Sequence, residues 1–383
     1  MKNCEIYLDN SSTTKPIPKA VEACNFALTQ EYGNSSSLHR KGFLAENLMS
    51  AARVSIANAL SCLESEIIFT SGATESNNLA IIGAAQALSR RGKKIVTTAI
   101  EHASVRLAVN FLESQGFIVE ELIPNADGYY TTEQFIEAVD DNTILVSCMY
   151  VNNETGLILP VKAIANAVKK KNPKTIMHVD AVQAFMKFPI KLSQTAIDLM
   201  SFSGHKIGAI KGIGGLFVKK GVRLVPQTYG GNQENGLRCG TQSVPLISAF
   251  GAAVAEISPK IDEYLKYYYM LNKHLVDRLF EIPEIKINSS IDEKLNAPYI
   301  INISTGVIRS EVMLHFLEQF EIYVSSGSAC SKGKQSYVLS ALSLDKSRSD
   351  TALRISFSPD TTIEQLDILA DKLNEGIGSL AHS

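Results

Sequence analysis

From about residue 45 to residue 220 the chain alternates between two patterns of apolar and polar positions. Short apolar, β-rich runs fall at 66–70, 94–98, 143–150, 175–179, 198–202 and 215–219. Helix-forming stretches lie between several of them, at 77–89, 104–115, 132–139 and 161–171. Short strands alternating with helices predict βαβ units and a largely parallel sheet. Such a sheet binds ligands beyond the carboxyl ends of its strands, so the residues just after each run carry the functional signal. A long helical segment at 245–281 then leads into a different texture, with strand-like runs at 299–304 and 353–358. That texture predicts a second, smaller α+β domain completed by the N-terminus. The expected division is 15–258 for the large domain, and 1–14 with 259–383 for the small one.

Composition narrows the class without changing the fold. Hydrophobic residues make up 45% and charged residues 20%, and 37 basic against 39 acidic side chains give a net charge of −2. That balance supports a globular core and argues against a broad basic surface for nucleic acid. The Lys169-Lys170-Lys171 run closes a helical stretch, where cations suit the helix dipole. Cysteines stand at 4, 24, 62, 148, 239 and 330 with no CxxC spacing, so neither a zinc cluster nor a thioredoxin-like pair is expected. MKNCEIYLDN lacks the apolar core of a signal peptide, and no uninterrupted apolar run approaches the roughly 18 residues of a membrane span. A reducing cytoplasm without a disulfide framework, and no membrane, is the expectation.

The residues after the strands supply the chemistry. IIFT is followed by SGATESN at 71–77, a small-residue turn opening a helix. Amides at a helix start form an anion site and Thr74 adds a hydroxyl, although a plain Ser/Thr cap reads the same way. Other runs are followed by Glu101-His102, by Asn152-Asn153-Glu154, by Asp180 with Gln183, and by Ser203-Gly204-His205-Lys206. Singly these are ordinary caps and surface charges. Together, at one sheet edge, they offer a ring, amides, a carboxylate and an amine, which is what pyridoxal phosphate needs. The lysine amine bonds the aldehyde and the carboxylate partners the ring nitrogen. His178 and Asp180 also form a His-x-Asp pair, but no third metal ligand follows.

SSGSAC at 325–330 sets Cys330 among serine and glycine, with Ala329 as its one apolar neighbour and Lys332 and Lys334 just beyond. A structural cysteine is usually buried, so this setting reads as an exposed thiol suited to reaction, or as an incidental loop cysteine. The cations lower a thiol pKa, though exposed charges act weakly.

These motifs together resemble the cysteine desulfurases of the NifS/IscS group, within the class V aminotransferase family of fold-type I pyridoxal-phosphate enzymes. YLDNSSTT, SGATESN, EHASV, VNNETG, HVDAVQ, SFSGHK, GLRCGT, SSGSAC and LRISFS span nearly the whole chain. The resemblance implies an α/β fold whose large domain holds a mainly parallel seven-stranded sheet flanked by helices. It implies Lys206 as the Schiff-base lysine, with Ser203, His205, Ala73 and Thr74 at the cofactor phosphate and Thr241 reaching it from a partner subunit. Asp180 would face the ring nitrogen, Gln183 the ring oxygen, His102 the ring face, and Asn153 the cofactor edge. Asn34 and Arg354 would bind the carboxylate of L-cysteine, arginine's planar fork suiting that task. Cys330 would take the sulfur as a persulfide, His102 would carry a proton, and L-alanine would leave. A homodimer follows from the role of Thr241. The sulfur acceptor would be an iron–sulfur scaffold or a tRNA-thiolation enzyme.

Some positions depart from the family pattern. Gly208 to Gly212 lacks the usual glycine-proline pair, Asn232 stands where glycine is common, and Cys239 replaces a frequent serine. The tract from Cys330 to Ser336 is shorter than in several relatives, and the chain ends soon after its last helix, at Leu380–Ser383, so sulfur handover is expected to differ. Two other readings keep the fold or discard the chemistry. A transaminase, β-lyase or selenocysteine lyase would share the cofactor residues. A non-catalytic binding protein would be expected to lack Lys206, Asp180 or Arg354, and all are present.

Overall fold

The computed structural model describes residues 5–326 and 336–380. The strands are β1 (Ile6–Tyr7), β2 (Ile67–Thr70), β3 (Lys94–Thr98), β4 (Ile118–Leu122), β5 (Thr143–Met149), β6 (Ile176–Asp180), β7 (Leu199–Ser203), β8 (Gly214–Val218), β9 (Lys286–Ile287), β10 (Ile300–Ser304), β11 (Ile322–Tyr323) and β12 (Ala352–Ser356). The helices are α1 (Pro18–Thr29), α2 (Arg40–Leu60), α3 (Ala73–Leu88), α4 (Ala103–Ser114), α5 (Thr132–Ala138), α6 (Val161–Lys171), α7 (Val244–Ile257), α8 (Ile261–Phe280), α9 (Ser310–Glu318), α10 (Tyr337–Ala341), α11 (Lys346–Asp350) and α12 (Ile363–Ser379).

A seven-stranded sheet in the order β2-β8-β7-β6-β5-β3-β4 forms the centre. Its neighbours run parallel except β8, which is antiparallel to both β2 and β7. Every residue of β2, β5, β7 and β8 is buried. Helices cover both faces of such strands, so they read as unbroken apolar runs and not as alternation. The edge strand β4 escapes that signature. Its IVEEL is mostly half-exposed, and Glu120 pairs with Lys94 of β3 at 2.8 Å.

The helical segment expected at 245–281 is two helices, α7 and α8, separated by a 3-10 turn at Ser258–Lys260. Pro259 accounts for the break, because it has no N–H to continue the ladder. By length and composition Val244–Phe280 is apolar enough to cross a membrane. The apolar character has a local cause, since α7 packs against α1 and α2 and buries Ile247, Phe250 and Val254. Gly251 permits that approach, as a Cβ there would lie 2.5 Å from the Ala52 Cα of α2.

Two smaller sheets complete the fold, antiparallel β12-β10-β9 and parallel β1-β11. The chain beyond β1 forms a strap over 8–14. Leu8 donates its N–H to the Tyr323 carbonyl at 2.8 Å and accepts from the Ser356 N–H at 2.7 Å. The strap then crosses to the carboxyl end of β7, where Thr14 donates its N–H to the His205 carbonyl at 2.8 Å.

Candidate active site

A cavity of about 1120 Å3 lies beyond the carboxyl ends of the parallel strands. Ala73 and Thr74 reach it from the turn after β2, His102 after β3, Asn153 after β5, Asp180 and Gln183 at the end of β6, and Ser203, His205 and Lys206 at the end of β7. Arg354 enters from β12, and Ser11, Ser12 and Thr13 of the strap close the remaining side. The sequence-predicted residues named here therefore meet in one place. Asn34 and Thr241 do not line this cavity, and Cys330 lies outside the described residues.

Lys206 and Arg354 are both held against the strap. The Lys206 Nζ donates to the carbonyls of Ser11 at 2.5 Å and Ser12 at 2.6 Å. Arg354 donates through Nη2 to Asp9 Oδ1 at 2.7 Å and Ser12 Oγ at 2.6 Å, and through Nη1 to the Asn153 carbonyl at 2.9 Å. Its Nε is buried without a partner. Asp9 and the strap therefore aim a guanidinium into the cavity with donor capacity left over.

Asp180 is buried and accepts from the Asn77 side-chain amide at 2.8 Å and the Val182 N–H at 3.0 Å. The same Asn77 nitrogen lies 2.8 Å from Ser104 Oγ, which in turn lies 2.8 Å from His102 Nδ1. Burial lowers the His102 pKa, Asp180 opposes it in part, and the Lys206 cation adds a smaller lowering. His205 is pushed down to about 4 by burial and then by Lys206, Lys211 and Lys187. Both imidazoles are thus neutral at pH 7. His178 is buried with its ring nitrogens against Ser147 Oγ at 2.8 Å and Ser201 Oγ at 3.0 Å, which makes it a sheet residue. Among the described residues no three His, Cys, Asp or Glu side chains come together as a metal site.

Three ionisable groups in and around the cavity have shifted affinities for protons. Glu154 lines the cavity, and its carboxylate accepts from Ser336 Oγ at 2.5 Å; burial raises its pKa to about 7 despite that bond and Arg354. Glu101 is raised to about 8 by burial, with Asp180 adding to the effect. Its Oε1 accepts from Thr98 at 2.6 Å and the Met149 N–H at 2.9 Å, while Oε2 has no partner. Lys187, pushed down to about 7 by burial and then by Lys206 and Arg354, sits 4.4 Å from the Tyr299 ring centroid. The sequence marks Glu101 and Glu154 only as residues after a strand, without a role, and sequence reasoning misses Lys187, because burial is a tertiary property. Asn77 and Ser104 did lie inside SGATESN and EHASV, where the strand-to-helix turns marked them.

Asn34 and Thr241 are exposed on neighbouring loops. Ser35 Oγ bonds Gln242 at 3.2 Å, and Gln242 donates to Glu234 at 2.7 Å. Glu234 pairs with Arg53 at 2.9 Å and accepts from the Phe69 N–H of β2 at 2.9 Å, so this loop is bolted to the sheet. Asn232 has φ −91, a conformation open to any residue, so its replacement of glycine brings no strain. Cys239 Sγ donates to the Gly231 carbonyl at 2.5 Å and does not line the cavity, as a small residue in a tight turn would.

Residues 6–369 match the aminotransferase class-V family. The chain belongs to that family. Among its class V relatives, a cysteine desulfurase of Nostoc sp. is 39% identical over 373 residues, which is 97% of this chain and 92% of that protein. The cysteine desulfurase IscS of Escherichia coli is 38% identical over 382 residues, covering 98% and 93% of the two chains. A solved NifS-like protein superposes with a TM-score of 0.93 at 34% identity, over 98% of this chain and all of that one (100%). The α/β class V fold expected from the sequence, and the likeness to the NifS/IscS group, are both found.

Proposed function

We propose that this class V chain is a pyridoxal-phosphate-dependent cysteine desulfurase that takes sulfur from L-cysteine, releases L-alanine and holds the sulfur on Cys330. The convergence of Lys206, Asp180 and Arg354 on one cavity, in a chain that matches cysteine desulfurases nearly end to end, carries this reading. The cavity fits the cofactor. Gln183 spends its Nε2 on the Ser11 carbonyl at 3.0 Å and keeps Oε1 buried and unpaired, an acceptor suited to a ring hydroxyl. Asp180 has lone pairs beyond those used by Asn77 and Val182, suited to a protonated ring nitrogen. The first-turn amides of α3 at Ala73 and Thr74, with Ser203 and His205, suit a phosphate. When bound, pyridoxal phosphate supplies an electron sink for charge developing at the amino-acid α-carbon.

The chain's own groups do the rest. Lys206 would hold the cofactor aldehyde, and its amine is placed to move the substrate's α-proton. Arg354, pre-aimed by Asp9 and Ser12, grips the substrate carboxylate, and its unpaired Nε leaves it a donor to spare. His102, neutral at pH 7 and lining the cavity, carries a proton, and Asn153 would border the cofactor. In the net transfer the substrate C–S bond breaks and an S–S bond to Cys330 forms. L-cysteine plus the Cys330 thiol thus gives L-alanine plus a persulfide, with no outside oxidant or reductant needed.

The enzyme acts as a homodimer in the cytoplasm and hands its sulfur to an iron–sulfur scaffold or a tRNA-thiolation enzyme. Exposed Tyr32, Leu38, Phe43 and Tyr229 support the dimer, since they accompany the loops of Asn34 and Thr241, which would complete the partner's cavity. The free thiols of Cys24, Cys62, Cys148 and Cys239 support a reducing compartment. We read the chain as two domains, 15–258 and 1–14 with 259–383, a division that the strap's bonding to β11 and β12 supports. The test follows sulfide and alanine from L-cysteine under reductant, with visible absorbance and sedimentation. Cys330→Ala is expected to keep the bound cofactor and stop sulfide, and Lys206→Ala to lose the cofactor's covalent signature and at least about a thousandfold in rate. Parental turnover by Cys330→Ala would sink the proposal.

A further inference from the structure

We propose that Asn77 is a positioning residue whose single side-chain amide orients both Asp180 and, through the Ser104 hydroxyl, His102. The inference rests on the reading of this cavity as the cofactor site only for the use made of those two groups. The geometry itself stands apart from it.

Asn77 lies in the first turns of α3 and is fully buried. Its Nδ2 carries two hydrogens, and two acceptors stand 2.8 Å away, Asp180 Oδ2 and Ser104 Oγ. Turning the amide over would set its oxygen against the Asp180 carboxylate, two acceptors face to face, so the carboxylate fixes the orientation. The consequence is visible on the other atom, because Asn77 Oδ1 is buried with no partner. An orphaned buried acceptor costs about 1–3 kcal/mol, so this orientation is held by what the nitrogen does.

Ser104 accepts from Asn77, which leaves its one hydrogen for His102 Nδ1 at 2.8 Å. The Ser104 N–H also points to Nδ1, at 3.2 Å. With two donors on it, Nδ1 is an acceptor, and the proton of the neutral ring sits on Nε2. The charged groups acting on the ring are Asp180 and Lys206, with Arg106 on the same helix lining the cavity. Asp180 directly, and His102 through Ser104, therefore take their orientation from one amide. A shift of α3 would move both.

The test is a double-mutant cycle on Asn77→Ala and Ser104→Ala, read by nitrogen NMR of the His102 ring after removal of cofactor and by pyridoxal-phosphate affinity. In the parent, His102 is expected to carry its neutral-state proton on Nε2. Each single change removes support for the neutral ring and raises the His102 pKa by about half a unit or more. The double variant rises no further than the larger single one, because both act along one chain of bonds. Asn77→Ala also weakens cofactor affinity about tenfold through Asp180, whereas Ser104→Ala leaves it within about twofold. Ser104→Thr, which keeps the hydroxyl, restores the parental His102 pKa. A parent proton on Nδ1, additive pKa shifts, or an unmoved His102 in Ser104→Ala overturns the proposal. That last variant decides alone if Asn77→Ala does not fold. A parent that binds no pyridoxal phosphate would defeat the functional reading and leave the ring measurement to judge this one.

Discussion

The cavity has two walls of different origin. The sheet wall is made of residues at, or within four positions of, the carboxyl end of a strand: Thr74, His102, Asp180, and Ser203 to Lys206. The strap wall is made by contacts between chain-distant groups. Arg354 reaches Asp9 across 345 positions, Lys206 reaches Ser11 across 195, and Ser336 reaches Glu154 across 182. The first wall is placed by rigid elements that fold around their own core. The second exists only when three parts of the chain come together. Damage to the sheet wall should therefore appear in chemistry, and damage to the strap wall in stability and substrate grip.

The largest expected effect tests the sheet wall. Asp180→Ala is predicted to lower alanine formation about a thousandfold at saturating L-cysteine while costing about 1–2 kcal/mol of stability, the cost of stranding the Asn77 donor. Arg354→Leu should reverse the emphasis. Its guanidinium is buried, 3% exposed against 21% for Asp9, and losing it costs about 3 kcal/mol in denaturant unfolding. The KM for L-cysteine should rise about a hundredfold. Equal kcat losses in the two variants, with KM unmoved in the second, would erase the distinction between the walls.

A pH experiment sharpens it further. Glu101 keeps its proton in the folded chain to about pH 8, against an ordinary value of 4.5, chiefly because it is buried. The folded state binds the extra proton between those values, so stability falls as pH rises through that window and the loss is complete above about 8. Glu101→Gln carries no such proton. It should match the parent near pH 4.5 and exceed it by on the order of 5 kcal/mol above pH 8. Parallel stability curves for the two proteins would show that the carboxyl ionises freely. The smallest effect is expected at Cys239→Ser, with turnover and melting within about twofold and 0.5 kcal/mol of the parent. A larger loss would bring that thiol into the chemistry.

The same division explains what could be read from the sequence. Strands buried on both faces announce themselves as apolar runs, and the residues just after them, including Asp180 and Lys206, could be picked out with them. Edge strand β4 could not, because Glu120 and Glu121 break its run. The continuous apolar texture of 245–281 hid the break at Pro259, though the proline was in plain view. YLDNSSTT was part of the family resemblance, yet Asp9, Ser11 and Ser12 gained no role from it. Their partners are Arg354, Lys206 and Gln183, and no local pattern reports a bond of that span. Asn77 sat inside a quoted motif, but its double duty depends on where β6 and α4 lie beside α3.

The strap also sets an order on synthesis. Residues 8–11 leave the ribosome long before residue 356, yet Leu8, Asn10 and Ser11 bond to Ser356, the Ser11 N–H reaching its Oγ at 2.8 Å. The seven-stranded sheet is complete once β8 has been made, long before β12 emerges. A nascent chain thus carries one finished wall and a strap still without its β11 and β12 partners until late in translation. The cavity closes only when β12 arrives, so a chain cut between β8 and Arg354 is expected to keep its seven-stranded sheet but never a gripping site. Completeness of the polypeptide is, in this protein, a precondition of the pocket.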